Sequence, residues 1–422
     1  MLMKEAHMKH KILFNILLFF MMSCFSNTVT AFSPLAEKGP YFVRGLNITI
    51  PLRADLIWGK AFGNYYWNRN TMDSMRFTGR IYYPAIDEVR TSDQYSIFFP
   101  ADNSSAPYPA VVFFNGANVS YEQYAWLFEH IASYGYIVLA VTEIMPSGGN
   151  LEGQFNNLFP QGTVTPTVWQ TSMTVTDVIT YLENINLSIP DPLPPAVKIG
   201  SPPDPWDRTS YLSVVRNPRG PEGDDLNHSL FEGMVDTNKI VFAGHSFGGF
   251  IALMCSNTTI QKPPRPTGGS FTNHVAGCFV YGAHTFAASG AGYSSPINVP
   301  LLMLGGEKDG VAAGPISGVE KTGYERIKYT FLNYVPASSD NSRYLLGIKG
   351  ANHLSICNRP DPMVDRSFLD EKDGIISSYI AHQVMQEKIT AFLQYYIKND
   401  ATALPVLTGS GSDPFIFDYA VK

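Results

Sequence analysis

The hexapeptide Gly244-His245-Ser246-Phe247-Gly248-Gly249 sets a serine hydroxyl among glycines. It lies directly after the apolar run of residues 239–243 and at the head of a helical pattern. A bare G-x-S-x-G is common. In strand–turn–helix order, however, it is the arrangement that holds a serine on a tight turn with its Oγ exposed at the C-terminal edge of a sheet. The flanking glycines let neighbouring chain approach without a Cβ clash. The N–H of Phe247, at the start of the helix, can point at a developing oxyanion. The chemistry such a residue performs is attack on a carbonyl carbon through a covalent acyl-enzyme.

A serine needs a base, and the base needs an orienting acid. Strand–turn–helix nucleophiles of this kind are followed along the chain by the acid and then the histidine. The apolar run of residues 301–304 reads as a later strand, and Gly305-Gly306-Glu307-Lys308-Asp309-Gly310 follows it. Asp309 is the expected acid, with Glu307 as its neighbouring competitor. Residues 344–348 read as a further strand, and His353 sits in the loop after it as the expected base. The second oxyanion donor should come from the loop after the strand ending at Phe114. There the backbone N–H of Ala117 is the candidate, with Phe247 as its partner. A glycan on the Asn118 sequon would block such a site.

These residues need a scaffold of alternating strands and helices. Residues 41–50 and 77–83 are aromatic and β-branched, with Pro84 as an expected strand stop. Residues 110–114 form a continuous apolar run, the mark of a strand buried on both faces. Tyr124, Leu127, Phe128 and Ile131 share one face of an amphipathic helix over 121–134, which Gly135 ends, and a buried strand over 136–141 follows. That β-α-β order implies a parallel sheet. A helix over 165–187 precedes a Pro-rich stretch over 189–232, read as an irregular insertion that could act as a lid or lie on the surface. Strands over 239–243 and 275–281, a helix over 247–255 and a closing helix over 375–396 complete the pattern. The fold class is α/β: a mostly parallel central sheet, helices on both faces, and the insertion before the nucleophile strand. One domain over 41–400 is expected, with 401–422 as a C-terminal tail.

Composition narrows the function classes. Hydrophobic residues are 45% and charged residues 16%, which is globular rather than disordered. The net charge is −6 with no run of Lys and Arg, which argues against nucleic acid as a partner. Residues 1–31 read as a signal peptide: Lys9, His10 and Lys11 precede a mostly apolar stretch over 12–25, too short to span a bilayer comfortably. Ala31-Phe32-Ser33-Pro34 resembles the cleavage motif of bipartite plastid leaders in algae with secondary plastids. Entry into the secretory pathway, ending in a plastid or outside the cell, is therefore expected. Six Asn-x-Ser/Thr sequons, at Asn47, Asn103, Asn118, Asn186, Asn227 and Asn257, add little, because a chain rich in these residues yields several by chance. Of the four cysteines, Cys24 lies in the leader. Cys255, Cys278 and Cys357 remain, an odd number, and none has metal-ligand spacing.

Three stretches resemble one branch of the α/β-hydrolases: cutinase-like polyester hydrolases, dienelactone hydrolases, platelet-activating-factor acetylhydrolases and chlorophyllases. They are F-T-G-R-I-Y-Y-P with P-A-V-V-F-F-N-G, then Y-A-W-L-F-E-H-I-A-S-Y-G-Y-I-V-L-A, then V-D-T-N-K-I-V-F-A-G-H-S-F-G-G. The resemblance spans most of 75–185 and 233–395 and implies the α/β-hydrolase fold with a Ser-Asp-His triad. Ala283 stands where the polyester hydrolases carry Trp. The acetylhydrolases and chlorophyllases take their acid from the end of the strand before 282, yet no Asp lies between Phe279 and Ser294. An acid at Asp309 is instead the dienelactone and polyesterase type. The helix wording is also close to that of chlorophyllases.

The expectation is a serine hydrolase of a hydrophobic carboxylic ester, needing neither metal nor organic cofactor. Its partner would be a small or lipid-like ester, with peripheral membrane contact as one route of substrate access. Two alternatives stand beside it: hydrolysis of the phytyl ester of chlorophyll in a plastid, and a hydrolase-fold binding protein with a dead site. The second usually loses one of the three side chains, and all three are present here. Acyl transfer to an alcohol other than water uses the same turn.

Overall fold

The computed structural model describes residues 32–51, 76–86, 101–116, 119–141, 178–179, 181–183, 185–187, 230–256, 275–284, 297–358, 369–372 and 375–422. Its centre is a nine-stranded sheet. The strands in chain order are β1 (Phe42–Pro51), β2 (Arg76–Ala85), β3 (Tyr108–Phe114), β4 (Ile137–Val141), β5 (Val235–His245), β6 (Val275–Tyr281), β7 (Leu301–Gly306), β10 (Arg343–Ile348) and β11 (Ile416–Val421). The spatial order is β1-β2-β4-β3-β5-β6-β7-β10-β11. The run from β4 to β10 is parallel throughout. The flanking strands β1, β2 and β11 pair antiparallel. Two short strands, β8 (Gly314–Ile316) and β9 (Val319–Lys321), form a separate hairpin.

The alternation of side chains along the parallel strands builds two cores, one per face. Val112, Phe114, Ile240, Phe242, Cys278, Val280, Leu301, Met303 and Leu345 are buried on one face. Helix α2 (Ser246–Cys255) covers them with Ile251 and Leu253, and α3 (Gly323–Tyr334) with Tyr324, Ile327 and Phe331. Val111, Phe113, Val241, Ala243, Phe279, Leu302, Leu304 and Leu346 are buried on the other. Helix α1 (Ala125–Ser133) and helix α4 (Ser378–Tyr396) lie over that face. Each of these large apolar side chains contributes about 1.5–3 kcal/mol relative to exposure. Together they fix which strand end meets which.

Several expectations are corrected. The terminal residues 401–422 are not a tail: they form a 3-10 turn, helix α5 (Leu404–Thr408), a second 3-10 turn and edge strand β11, which pairs with β10 from Tyr344↔Val421 to Ile348↔Ile416. The segment is anchored by Lys388, whose Nζ lies 2.8 Å from Glu387 and 2.7 Å from Asp413 in a nearly dry setting. Pro84 does not stop β2, because the ladder to β4 ends at Tyr82 and nothing there requires an N–H from residue 84. The helix expected over 121–134 begins as a 3-10 turn at Tyr121–Tyr124, and that expected over 375–396 begins only at Ser378. Strand β5 begins at Val235, four residues before the apolar run.

Of the helix expected over 165–187, residues 178–179, 181–183 and 185–186 are helical, with Val178, Ile179, Leu182 and Ile185 buried. Phe231, at the end of the expected insertion, is core and packs edge-on to Tyr83 at 5.1 Å between ring centroids. The leader over 1–31, the remainder of the insertion, Ala117, and the sequons at Asn118, Asn227 and Asn257 lie outside the described residues. No helix among the described residues is long and apolar enough to cross a membrane.

Candidate active site

Parallel pairing brings the C-terminal ends of β3, β5, β6, β7 and β10 to one edge. The register runs His245↔Tyr281, Tyr281↔Leu304 and Leu304↔Leu346. From β3 the chain leads to β4 on one side, and β5 follows on the other, so the strand order reverses between β3 and β5. In open α/β sheets that crevice is where ligands bind.

Ser246 stands at this reversal, directly after β5 and as the first residue of α2. Its φ is +53°, a left-handed conformation. Such a backbone costs a non-glycine residue about 1–3 kcal/mol and persists only where the surroundings impose it. They do so here: a Cβ on Gly248 would overlap the carbonyls of Phe114 and Asn115, so the turn is pressed against the end of β3. Ser246 and Phe247 are partly exposed, while His245 and Gly248 on either side are buried. Phe247 lies in the first turn of α2, whose partial positive charge favours an anion there.

Asp309 and His353 meet at the ends of β7 and β10. His353 Nδ1 lies 2.8 Å from Asp309 Oδ2, with both side chains buried. The other oxygen, Oδ1, accepts the Ala312 N–H at 2.9 Å, and the Asp309 carbonyl accepts the Gly323 N–H at 2.9 Å. The acid is thus held by its own turn and by the first residue of α3. That helix is set in turn by a reciprocal cap: Thr322 Oγ1 accepts from the Glu325 N–H, and Glu325 Oε2 accepts from the Thr322 N–H. Glu307, the competitor, instead accepts the Gly350 N–H on the exposed surface.

A second carboxylate supports the loop of His353. Asp370 is buried, and its Oδ1 accepts the N–H of His353 at 3.0 Å and of Gly310 at 3.2 Å, while Oδ2 accepts that of Leu354 at 3.0 Å. It joins the loop of Asp309 to the loop of His353. Nothing local in the sequence marks it: it lies 17 residues beyond His353, in a segment with no strand or helix pattern. His245, read from sequence only as the residue beside the serine, is also placed centrally. Its Nδ1 is 2.9 Å from Tyr124 Oη and its Nε2 is 3.1 Å from the His353 carbonyl. Among the described residues, no group of three or more His, Cys, Asp or Glu could hold a metal ion.

Burial alone would lower the His353 pKa. The Asp309 carboxylate, by charge and hydrogen bond, and the charge of Asp370 outweigh it, and the net shift is upward. A raised folded pKa stabilises the protein fully below the unfolded value of about 6.5, and that contribution is lost as pH rises through the folded value. A base role for His353 needs the opposite state, because only neutral imidazole accepts a proton. The acid limb of kcat/KM should therefore lie above pH 6.5 or so, and Asp370→Asn should move it to lower pH. A pH–rate profile of both proteins checks this; a limb at or below the ordinary value would contradict it.

A mostly parallel sheet with a serine turn, an acid and a histidine at successive strand ends is the layout compatible with an α/β-hydrolase. Residues 63–152 match the family model described as Chlorophyllase, a family within the α/β-hydrolase superfamily. The match includes β2, β3, α1 and β4 and ends before the Ser246 turn. It suggests ester hydrolysis. A search of curated proteins finds no match.

Proposed function

We propose that the protein hydrolyses a hydrophobic carboxylic ester through an acyl-enzyme on Ser246, with His353 as base and Asp309 as its orienting acid. The observation that carries this reading is the buried 2.8 Å Asp309–His353 pair at the same sheet edge as a left-handed serine turn. With its Nδ1–H held by Asp309, His353 presents Nε2 as the acceptor. It takes the Ser246 proton as Oγ bonds to the ester carbon. The oxyanion is held by the N–H of Phe247 and, as the sequence suggests, of Ala117. Collapse breaks the bond to the alcohol oxygen, which leaves with the proton from His353. Water then repeats the sequence on the acyl-enzyme, releasing the acid and restoring Ser246.

The family match favours a second, narrower reading: the ester is that of a chlorophyll, whose phytyl alcohol would leave. The leader-like residues 1–31 are in keeping with delivery through the secretory route to a plastid or outside the cell. The test is turnover of short-, medium- and long-chain p-nitrophenyl esters and of chlorophyll a, with fluorophosphonate labelling mapped by peptide mass. Label on Ser246 with turnover of any ester supports the serine hydrolase, and the preferred substrate separates the chlorophyll reading from the lipid and small-ester ones. No turnover and no label would promote a binding protein in its place.

A further inference from the structure

We propose that Tyr124 and His245 form a directional hydrogen-bond relay that fixes the loop after β3 against the base loop, making both of them positioning residues for the hydrolysis proposed above. The inference rests on that reading for its purpose, though not for its geometry.

Direction follows from what each group can do. The Gly116 N–H can only donate, and it points at Tyr124 Oη at 3.1 Å. Tyr124 thus accepts there and has its own proton to give. Its neighbour on the other side is His245 Nδ1, at 2.9 Å. A carbonyl at Nε2 places the single ring proton of a neutral imidazole there and leaves Nδ1 bare to accept from Tyr124. Nε2 faces the His353 carbonyl at 3.1 Å, a group that can only accept. Read from the Gly116 amide and from the His353 carbonyl, the four groups agree on one direction. Burial, helped by the neighbouring His353, holds the His245 ring neutral, well below the ordinary histidine range. Tyr281 closes the same region by donating to the Asn352 carbonyl at 2.5 Å.

The relay spans the two loops whose spacing matters. Gly116 stands directly before Ala117, the expected oxyanion donor, and a Cβ at Gly116 would come within 2.7 Å of His245 Nδ1. The other end holds the backbone of the base itself. Between them, His245 is adjacent in sequence to Ser246. A displacement of about 1 Å between donor, nucleophile and base is enough to cost on the order of 100-fold in rate.

The experiment uses the full chain. Nitrogen-15 NMR of histidine-labelled protein should show His245 protonated on Nε2 and bare on Nδ1 across the pH range in which exposed histidines titrate. Tyr124→Phe should expose the Gly116 amide to hydrogen exchange at least about tenfold faster while amides of β5 keep their protection. It should lower kcat by on the order of 100-fold with little change in KM. His245→Gln, whose amide NH₂ can donate toward the His353 carbonyl while its oxygen does not stand where Nδ1 met Tyr124, should fall between wild type and His245→Ala. A protonated Nδ1, a titrating His245, or unchanged Gly116 exchange in Tyr124→Phe would each overturn the relay. Unaltered kcat in that variant would overturn the positioning role. If the wild type turned over no ester, the catalytic reading would fail, and the NMR and exchange results would still decide whether the relay exists.

Discussion

Ser246→Ala should abolish ester turnover, with kcat reduced by about a millionfold, down to whatever the remaining site contributes. On the proposed mechanism the size of the effect follows from the loss of the covalent step itself, since no other residue of 244–249 carries a hydroxyl. Stability should barely fall. Ser246 is partly exposed, and alanine meets the same backbone strain at φ +53° as serine does. The check is kcat beside the thermal midpoint of both proteins. A variant that keeps even a hundredth of the activity would remove Ser246 from the nucleophile's role.

Asp309→Asn should lower kcat by about 10⁴-fold while leaving the fold in place. The direction comes from the two partners of the carboxylate. Ala312 N–H demands an acceptor, so the amide oxygen of Asn would stay on that side. The NH₂ group would then face His353 Nδ1. Two donors cannot share that contact, and the imidazole would move its proton to Nε2, the nitrogen that accepts from Ser246 in the proposed mechanism. The companion Glu307→Gln should leave kcat near wild type, since Glu307 only accepts the Gly350 N–H at the surface. Equal losses in both variants, or a loss in Glu307→Gln alone, would overturn the assignment of the acid. Histidine NMR on Asp309→Asn reads the tautomer directly.

Much of this arrangement was legible in the residues. Continuous apolar runs such as Val111-Val112-Phe113-Phe114 and Leu301-Leu302-Met303-Leu304 announced buried parallel strands. Their spacing gave the sheet its order of chemistry, with Ser, Asp and His each just past a strand. The rest depended on contacts between distant segments. Asp370 reads as any surface carboxylate until three amides from two loops are seen around it. Strand β11 follows Gly409-Ser410-Gly411-Ser412, a composition that suggests a linker, and only its pairing with β10 makes it part of the sheet. Helix α3 carried a readable signal, Thr322 followed three residues later by Glu325. Its apolar face is sparse, however, and the pattern did not stand out. His245 was visible as a residue of the turn, but its two partners lie 121 and 108 residues away.

The parallel pairing of β7 with β10 also sets when the site can come into being. Asp309 and His353 are 44 residues apart in sequence. They touch only once the chain between them has folded as a hairpin and a helix and β10 has found its register beside β7. Non-local parallel pairing of this kind is slow, because loop closure must be completed before its contacts form. A chain emerging from synthesis thus carries the Ser246 turn before it carries the His353 loop. On the proposed mechanism, ester cleavage is then confined to the finished sheet.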